Sequence, residues 1–209
     1  MEKIGVGLYG TNGHQIHGQL ADHPLARLVA TAAFDRSALP EPLRADRAVR
    51  HYGTLEEMLA DPAVELVSLC SPRRRDQAAE AIRCLRAGKH VYAEKPCAMA
   101  EGDLDAILAA VAETGRQFRE MANGVAETQP FLAMRRVVEA GTIGTVVQVL
   151  AQKSYPWHDR RPQDEDVDGG LIGQNAGHAL RFIEFVACRR IAAIEAVETS
   201  LGNPAGGGC

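Results

Sequence analysis

The stretch GKHVYAEKPCAM, Gly88–Met99, decides how this chain is read. Val91, Tyr92 and Ala93 form a short apolar run bounded by glycine upstream and proline downstream, the pattern of a buried strand. Glu94, Lys95 and Pro96 follow at once. Pro96 has no N–H, so it stops ladder pairing, and it biases Lys95 toward extended backbone. A strand ending in Glu-Lys-Pro presents an amine at the carboxyl edge of a sheet, where open α/β sheets hold their ligands. By itself such a tripeptide is also an ordinary surface turn. Its surroundings favour the strand: the helical pattern AAEAIRCLRAGKH precedes it, and before that comes the apolar run VELVSLCSP.

Toward the N-terminus, KIGVGLYG reads as a strand running into glycine, and GTNGHQIHGQLADH as a turn that opens a helix. A strand, a glycine turn and a helix together can hold a pyrophosphate on backbone N–H groups and on the helix N-terminus. The turn is Gly10, Thr11, Asn12 and Gly13, all candidate cofactor contacts. It departs from GxGxxG, because Asn12 holds the second position and Gln15 the third. Asn tolerates left-handed backbone, yet its side chain narrows the approach for phosphate, and Gln15 is expected to loosen helix–strand packing. His14 and His17 read as structural or exposed, with a cofactor contact as the other reading. ARLVATAAFDRS is a second strand ending at Asp35. An acid roughly 20 residues after the turn can accept hydrogen bonds from the adenosine ribose, though Asp35 also suits a plain turn. Arg36 could pair with a 2′-phosphate, so NAD is the first choice and NADP stays open.

Composition narrows the classes. The 209 residues are 46% hydrophobic and 24% charged, as in a globular protein. A net charge of −4 without a basic stripe gives nucleic-acid binding no support. No apolar run reaches the length of a membrane span. The five scattered cysteines form no CxxC, which predicts reduced thiols and a cytoplasmic protein, with Cys97 a small core thiol. Asp164, Glu165, Asp166 and Asp168 read as an exposed acidic loop, not a metal site.

VELVSLCSP, the helix ending in AGKH, and VYAEKP together resemble the Gfo/Idh/MocA oxidoreductases, nicotinamide-dependent dehydrogenases of sugars, polyols and related compounds. The resemblance runs from roughly Lys3 to Ser200. It implies an α/β fold: a Rossmann-type doubly wound parallel sheet at 1–122, then a truncated α+β substrate and oligomerisation domain at 123–209. It implies that Lys95 contacts both substrate and nicotinamide, often after a cis bond to Pro96, and that Ser71, Pro72 and Glu94 lie near the cofactor. The family often has Asn and His where this chain has Arg73 and Asp76. Three arginines in a row, Arg73–Arg75, read as a solvated face.

The second half carries the other candidates. EGDLDAILAAVAETG has helical spacing, with Leu104, Ile107, Leu108 and Val111 on one side. QFREMANG returns as a strand that closes the first domain. PFLAMRRVVEAGTIG is an amphipathic helix ended by glycine, and GTIGTVVQVLAQKSY and AAIEAVETS are expected strands. Trp157, in a polar loop, could stack on a sugar ring or simply pack. In GGLIGQNAGHALRFIEFVACRR, Gln174 and His178 are four apart and share a helix face. The resemblance puts His178 in the substrate site, with Gln174 where the family has an aspartate and Arg181 where it often has an acid. An imidazole is the side chain whose ordinary charge change falls nearest neutral pH, so His178 suits a general base. Lys95 would then hydrogen-bond the same oxygen and steady developing charge. The expected partner is a small sugar or polyol, and a homo-oligomer is expected through the C-terminal sheet. A nucleotide-binding sensor without turnover is the second reading, because Gln174 cannot carry charge.

Overall fold

The apolar runs in KIGVGLYG, ARLVATA, VELVSL and HVYA become strands of one sheet. A computed structural model describes residues 2–121, 129–154 and 164–197. The strands are β1 (Ile4–Tyr9), β2 (Ala26–Ala32), β3 (Arg50–Tyr52), β4 (Leu66–Leu69), β5 (His90–Ala93) and β6 (Phe118–Glu120). They lie in the order β3-β2-β1-β4-β5-β6, and every pairing is parallel. The order reverses direction between β1 and β4, so a crevice opens there at the carboxyl ends of the strands. Strands this short and this apolar are stable only when both faces are covered. On one face Met58, Val67, Leu69, Ala81, Leu85, Val91 and Ile107 close the core, and on the other Val6, Leu8, Leu20, Leu28, Leu39 and Val49 do.

The connections are α1 (Glu41–Ala45), α2 (Leu55–Leu59), α3 (Gln77–Arg86) and α4 (Glu101–Thr114). Thr54 starts α2 with a complete capping box: its hydroxyl accepts from the Glu57 N–H, and the Glu57 carboxylate accepts from the Thr54 N–H. Tyr9 Oη donates to Glu80 Oε1 at 2.9 Å, pinning α3 to the end of β1, and burial pushes both groups' pKa values up. Gly115, in left-handed backbone, ends α4.

Four local expectations change. The glycine turn opens no α-helix: only one 3₁₀ turn, His17–Gln19, follows it before β2. Gly18 sits inside that segment and Pro24 bounds it, and both oppose helix propagation. The acidic stretch is not an exposed loop throughout, since α6 (Glu165–Asp168) is a short helical turn and Asp168 is buried. On α4 the buried residues are Ile107 and Ala110, whereas Leu104 and Leu108 are exposed. The small Ala110 lets α4 sit close on its support, which turns the bulkier leucines outward. Finally, β3 forms at the end of LPEPLRADRAVRHYG, a polar, proline-bearing stretch that by composition reads as a loop with a short helix.

The chain divides into two units, Met1–Met121 with Asp166–Asp168, and Ala122–Glu165 with Gly169–Cys209. In the second unit α5 (Gln129–Glu139) packs on α7 (Leu171–Ala187). Phe131 meets Phe182 edge-on at 4.8 Å, and the Arg135 guanidinium lies 4.8 Å from the Phe185 ring. The two strands expected here do not form ladders among the described residues: 145–154 and 192–197 are irregular. Val147 and Val197 are each 94% exposed and Leu150 81%, so the apolar side chains of that pattern have no sheet to cover them.

Candidate functional site

The site in the first unit is built around the crevice between β1 and β4. Gly10 has φ +68°, and a Cβ there would lie 2.0 Å from the Cys70 carbonyl oxygen, so only glycine lets the two strand ends meet. The Asn12 N–H donates to that same carbonyl at 3.3 Å, and the Gly13 N–H donates to the Thr11 carbonyl at 3.0 Å. Asn12 Nδ2 donates to the Pro72 and Val167 carbonyls. Gln15 does not loosen the packing as expected. Its amide nitrogen donates to the Tyr9, Gly10 and Ser68 carbonyls, and its oxygen accepts from Ser68 Oγ at 2.5 Å. One side chain thus knits the ends of β1 and β4 at the position where GxGxxG has its third glycine.

Glu94, 1% exposed, faces this turn. Its Oε2 accepts from the His14 N–H and lies 2.8 Å from His14 Nδ1, and its Oε1 accepts from the Lys95 N–H at 2.7 Å. A Cβ on Gly13 would strike that carboxylate at 2.2 Å. Lys95 follows β5, is 7% exposed, and its bond to Pro96 is cis. Ser71 is buried at the end of β4, with Pro72 beside the turn. Gly10, Thr11, Asn12, Gly13, Ser71, Pro72, Glu94 and Lys95 therefore gather along one edge of the first unit.

Asp35 and Arg36 lie beyond β2, which ends three residues short of Asp35. Both Asp35 oxygens accept from Ser37, from its N–H at 2.8 Å and its hydroxyl at 2.7 Å, capping a 3₁₀ turn at Arg36–Ala38. These bonds hold the Asp35 carboxyl below its ordinary pKa, so it is a carboxylate at neutral pH. His51 Nδ1 lies 2.7 Å from Thr31 Oγ1, and burial, then the Arg36 charge, lowers the His51 pKa.

The sequence reading missed Arg74 and Gln77. Arg74 is not on a solvated face: it is 2% exposed, between partly exposed Arg73 and Arg75, which pair with Asp166. Its Nη2 donates to the Asn12 carbonyl at 2.7 Å, and its Nη1 donates to Gln77 Oε1. Gln77, fully buried, passes the link on, donating to the Glu94 carbonyl at 2.5 Å and the Pro96 carbonyl at 3.0 Å. The only signal for this in the sequence was position: a 3₁₀ turn at Arg74–Asp76 aims one arginine of the three inward.

In the second unit α7 carries both remaining described candidates, Gln174 and His178, one turn apart. A cavity of about 380 Å³ in this unit is lined by Phe131, Leu150, Gln152, Lys153, His178 and Phe182, among others. Trp157 lies outside the described residues.

The first unit fits a dinucleotide on three counts: a glycine turn at the strand-order reversal, a carboxylate beyond β2, and a buried guanidinium whose Nε has no hydrogen-bond partner. Among the described residues no helix is long and apolar enough to cross a membrane.

Comparison with known proteins agrees. Residues 4–121 match the model described as "Oxidoreductase family, NAD-binding Rossmann fold", Gfo/Idh/MocA. A trans-1,2-dihydrobenzene-1,2-diol dehydrogenase from Bos taurus is 30% identical over 162 residues, 77% of this chain and 48% of that protein. A scyllo-inositol 2-dehydrogenase (NADP(+)) from Bacillus subtilis is 28% identical over 141 residues, 68% of this chain and 38% of that protein. The crystal structure of an oxidoreductase domain protein from Kribbella flavida shares the fold, with TM-score 0.66 and 24% identity over 91% of this chain and 55% of that one. The chain spans about half the length of the curated relatives it matches, or less.

Proposed function

Because the chain belongs to the Gfo/Idh/MocA oxidoreductase family, we propose that it is an NAD(P)-dependent oxidoreductase acting on a sugar, polyol or related hydroxy compound. The observation that carries this reading is the buried Lys95 beyond β5, beside a glycine turn at the strand-order reversal. The related diol and inositol dehydrogenases support the substrate class. The bound nicotinamide would supply hydride chemistry. Of the chain's own residues, His178 is the candidate general base, and Lys95 the candidate donor that steadies developing charge on a substrate oxygen. Gln174 orients by hydrogen bonding alone. Asp35 supports NAD, as an exposed carboxylate able to accept ribose hydroxyls, while Arg36 beside it leaves room for NADP.

The test is the full chain incubated with NAD or NADP and a panel of polyols, sugars and cyclic diols, followed by absorbance of the reduced cofactor. Turnover on at least one compound is expected. Cofactor binding without turnover on any of them would replace the enzyme with the second reading, a nucleotide-binding sensor, which Gln174 in place of an acid favours.

We propose further that the protein acts in solution as a homo-oligomer joined through its C-terminal unit. Val147, Leu150, Ile194 and Val197 are exposed there, and apolar side chains of that pattern seek a partner surface. Light scattering at micromolar concentration should give a mass above that of one chain, and a clean monomer would remove the proposal.

A further inference from the structure

We infer that Arg74 is the positioning residue whose charge receives the cofactor's diphosphate, in place of the helix N-terminus that usually does so. The inference rests on the reading that this unit binds a nicotinamide dinucleotide. In the common arrangement a helix begins directly after the glycine turn, and its free N–H groups and dipole meet the phosphates. Here three residues of 3₁₀ turn stand in that place, too few for an N-terminal anion site. Three N–H groups at the turn are also committed within the protein: Asn12 to Cys70, Gly13 to Thr11, and His14 to Glu94.

What the turn has instead is a full positive charge beneath it. The Arg74 guanidinium holds the Asn12 carbonyl from behind, at 2.7 Å. Its other hydrogen-bond partner is a neutral amide, Gln77, and its Nε is buried without a partner. Among the described residues no carboxylate hydrogen-bonds it. The acids whose charges reach it are Glu94, which is engaged by His14 and Lys95, and Asp168. A buried cation whose hydrogen-bond partners are all neutral is costly. A dianionic diphosphate over the turn would offset that cost, and through Gln77 the same guanidinium fixes the spacing between the turn and the Glu94–Pro96 segment.

The experiment measures equilibrium binding of two probes to the full chain: ADP-ribose, which carries the diphosphate, and adenosine, which does not. In Arg74→Gln, ADP-ribose affinity should fall by about tenfold or more, the size of a lost charged contact, with adenosine affinity unchanged. Equal loss for both probes, or no loss for either, would overturn the inference and leave Arg74 a scaffold residue. Arg74→Lys keeps the charge and loses the fork, so it should retain most of the preference for ADP-ribose. A preference abolished in a folded Arg74→Lys chain, with an unchanged melting temperature, would assign the effect to geometry and overturn the role of charge. Should the glutamine variant not fold, the wild type still decides: a buried charge is weakly screened, so the preference must survive 0.5 M salt, roughly where exposed charges are screened out. If wild type binds no ADP-ribose at all, the parent reading fails, a result distinct from failure of Arg74.

Discussion

Lys95→Ala lowers turnover by about 10²–10³-fold, the range for removing one donor that steadies developing charge, and leaves nucleotide affinity within a few-fold. The Lys95 N–H donates to Glu94 Oε1, a backbone contact that survives truncation of the side chain. The glycine turn, Gln15 and the Arg74–Gln77 link do not involve the ammonium group. The variant therefore keeps the frame and loses the amine. Steady-state kinetics on whichever hydroxy compound the wild type oxidises, with cofactor binding measured separately, checks both halves. Undiminished kcat in the variant would take Lys95 out of the chemistry. A large loss of cofactor affinity with kcat preserved would make it a binding residue only.

The second large effect is at Gly10. Gly10→Ala should lose about 3 kcal/mol of stability, from left-handed backbone for a non-glycine residue plus forced overpacking. The new Cβ would lie 2.0 Å from the Cys70 carbonyl oxygen. That oxygen is backbone, held at the end of β4 by the Cys70 N–H bond to the Tyr9 carbonyl at 2.8 Å, so it cannot swing aside as a side chain would. Relief requires β1 and β4 to part, which disturbs the crevice as well as the core. Thermal unfolding should show a drop of about 10 °C, together with weaker ADP-ribose binding. A variant as stable as wild type would mean that the turn is softer than its hydrogen bonds indicate.

The sheet was legible because its signals are local. Runs such as VELVSL and HVYA are apolar, short and punctuated by Gly or Pro, and they became β4 and β5. Thr54 and Glu57, spaced three apart ahead of an apolar run, are a local signal of the same kind and form a complete capping box. The turn was legible as a turn, yet its consequence was not. Whether GTNGHQIHGQLADH continues as a helix depends on a balance among Gly18, Pro24 and tertiary packing that propensity decides weakly. Arg74 was invisible because burial of one arginine among three depends on where a 3₁₀ turn aims it. Gln15 was read through what glycine would have done there, which hid the three carbonyls its amide could reach. The strand patterns at 145–154 and 192–197 failed for the opposite reason. A strand needs neighbours, and no property of its own residues supplies them. Gln174 and His178 did fall one turn apart on a single helix, since spacing along a helix is geometry that sequence alone fixes.

Three thiols lie sealed in the first unit: Cys70, Cys84 and Cys97, each pushed up to about 12, chiefly by burial. At ordinary pH almost none of their sulfur is thiolate, and thiolate is the form that alkylating reagents attack. Each is therefore silent while the sheet is closed and speaks only when a strand or helix lifts away. The protein carries its own stopwatch for opening: with reagent in enough excess to outpace reclosing, the rate at which these sulfurs take up label is the rate at which its first unit opens.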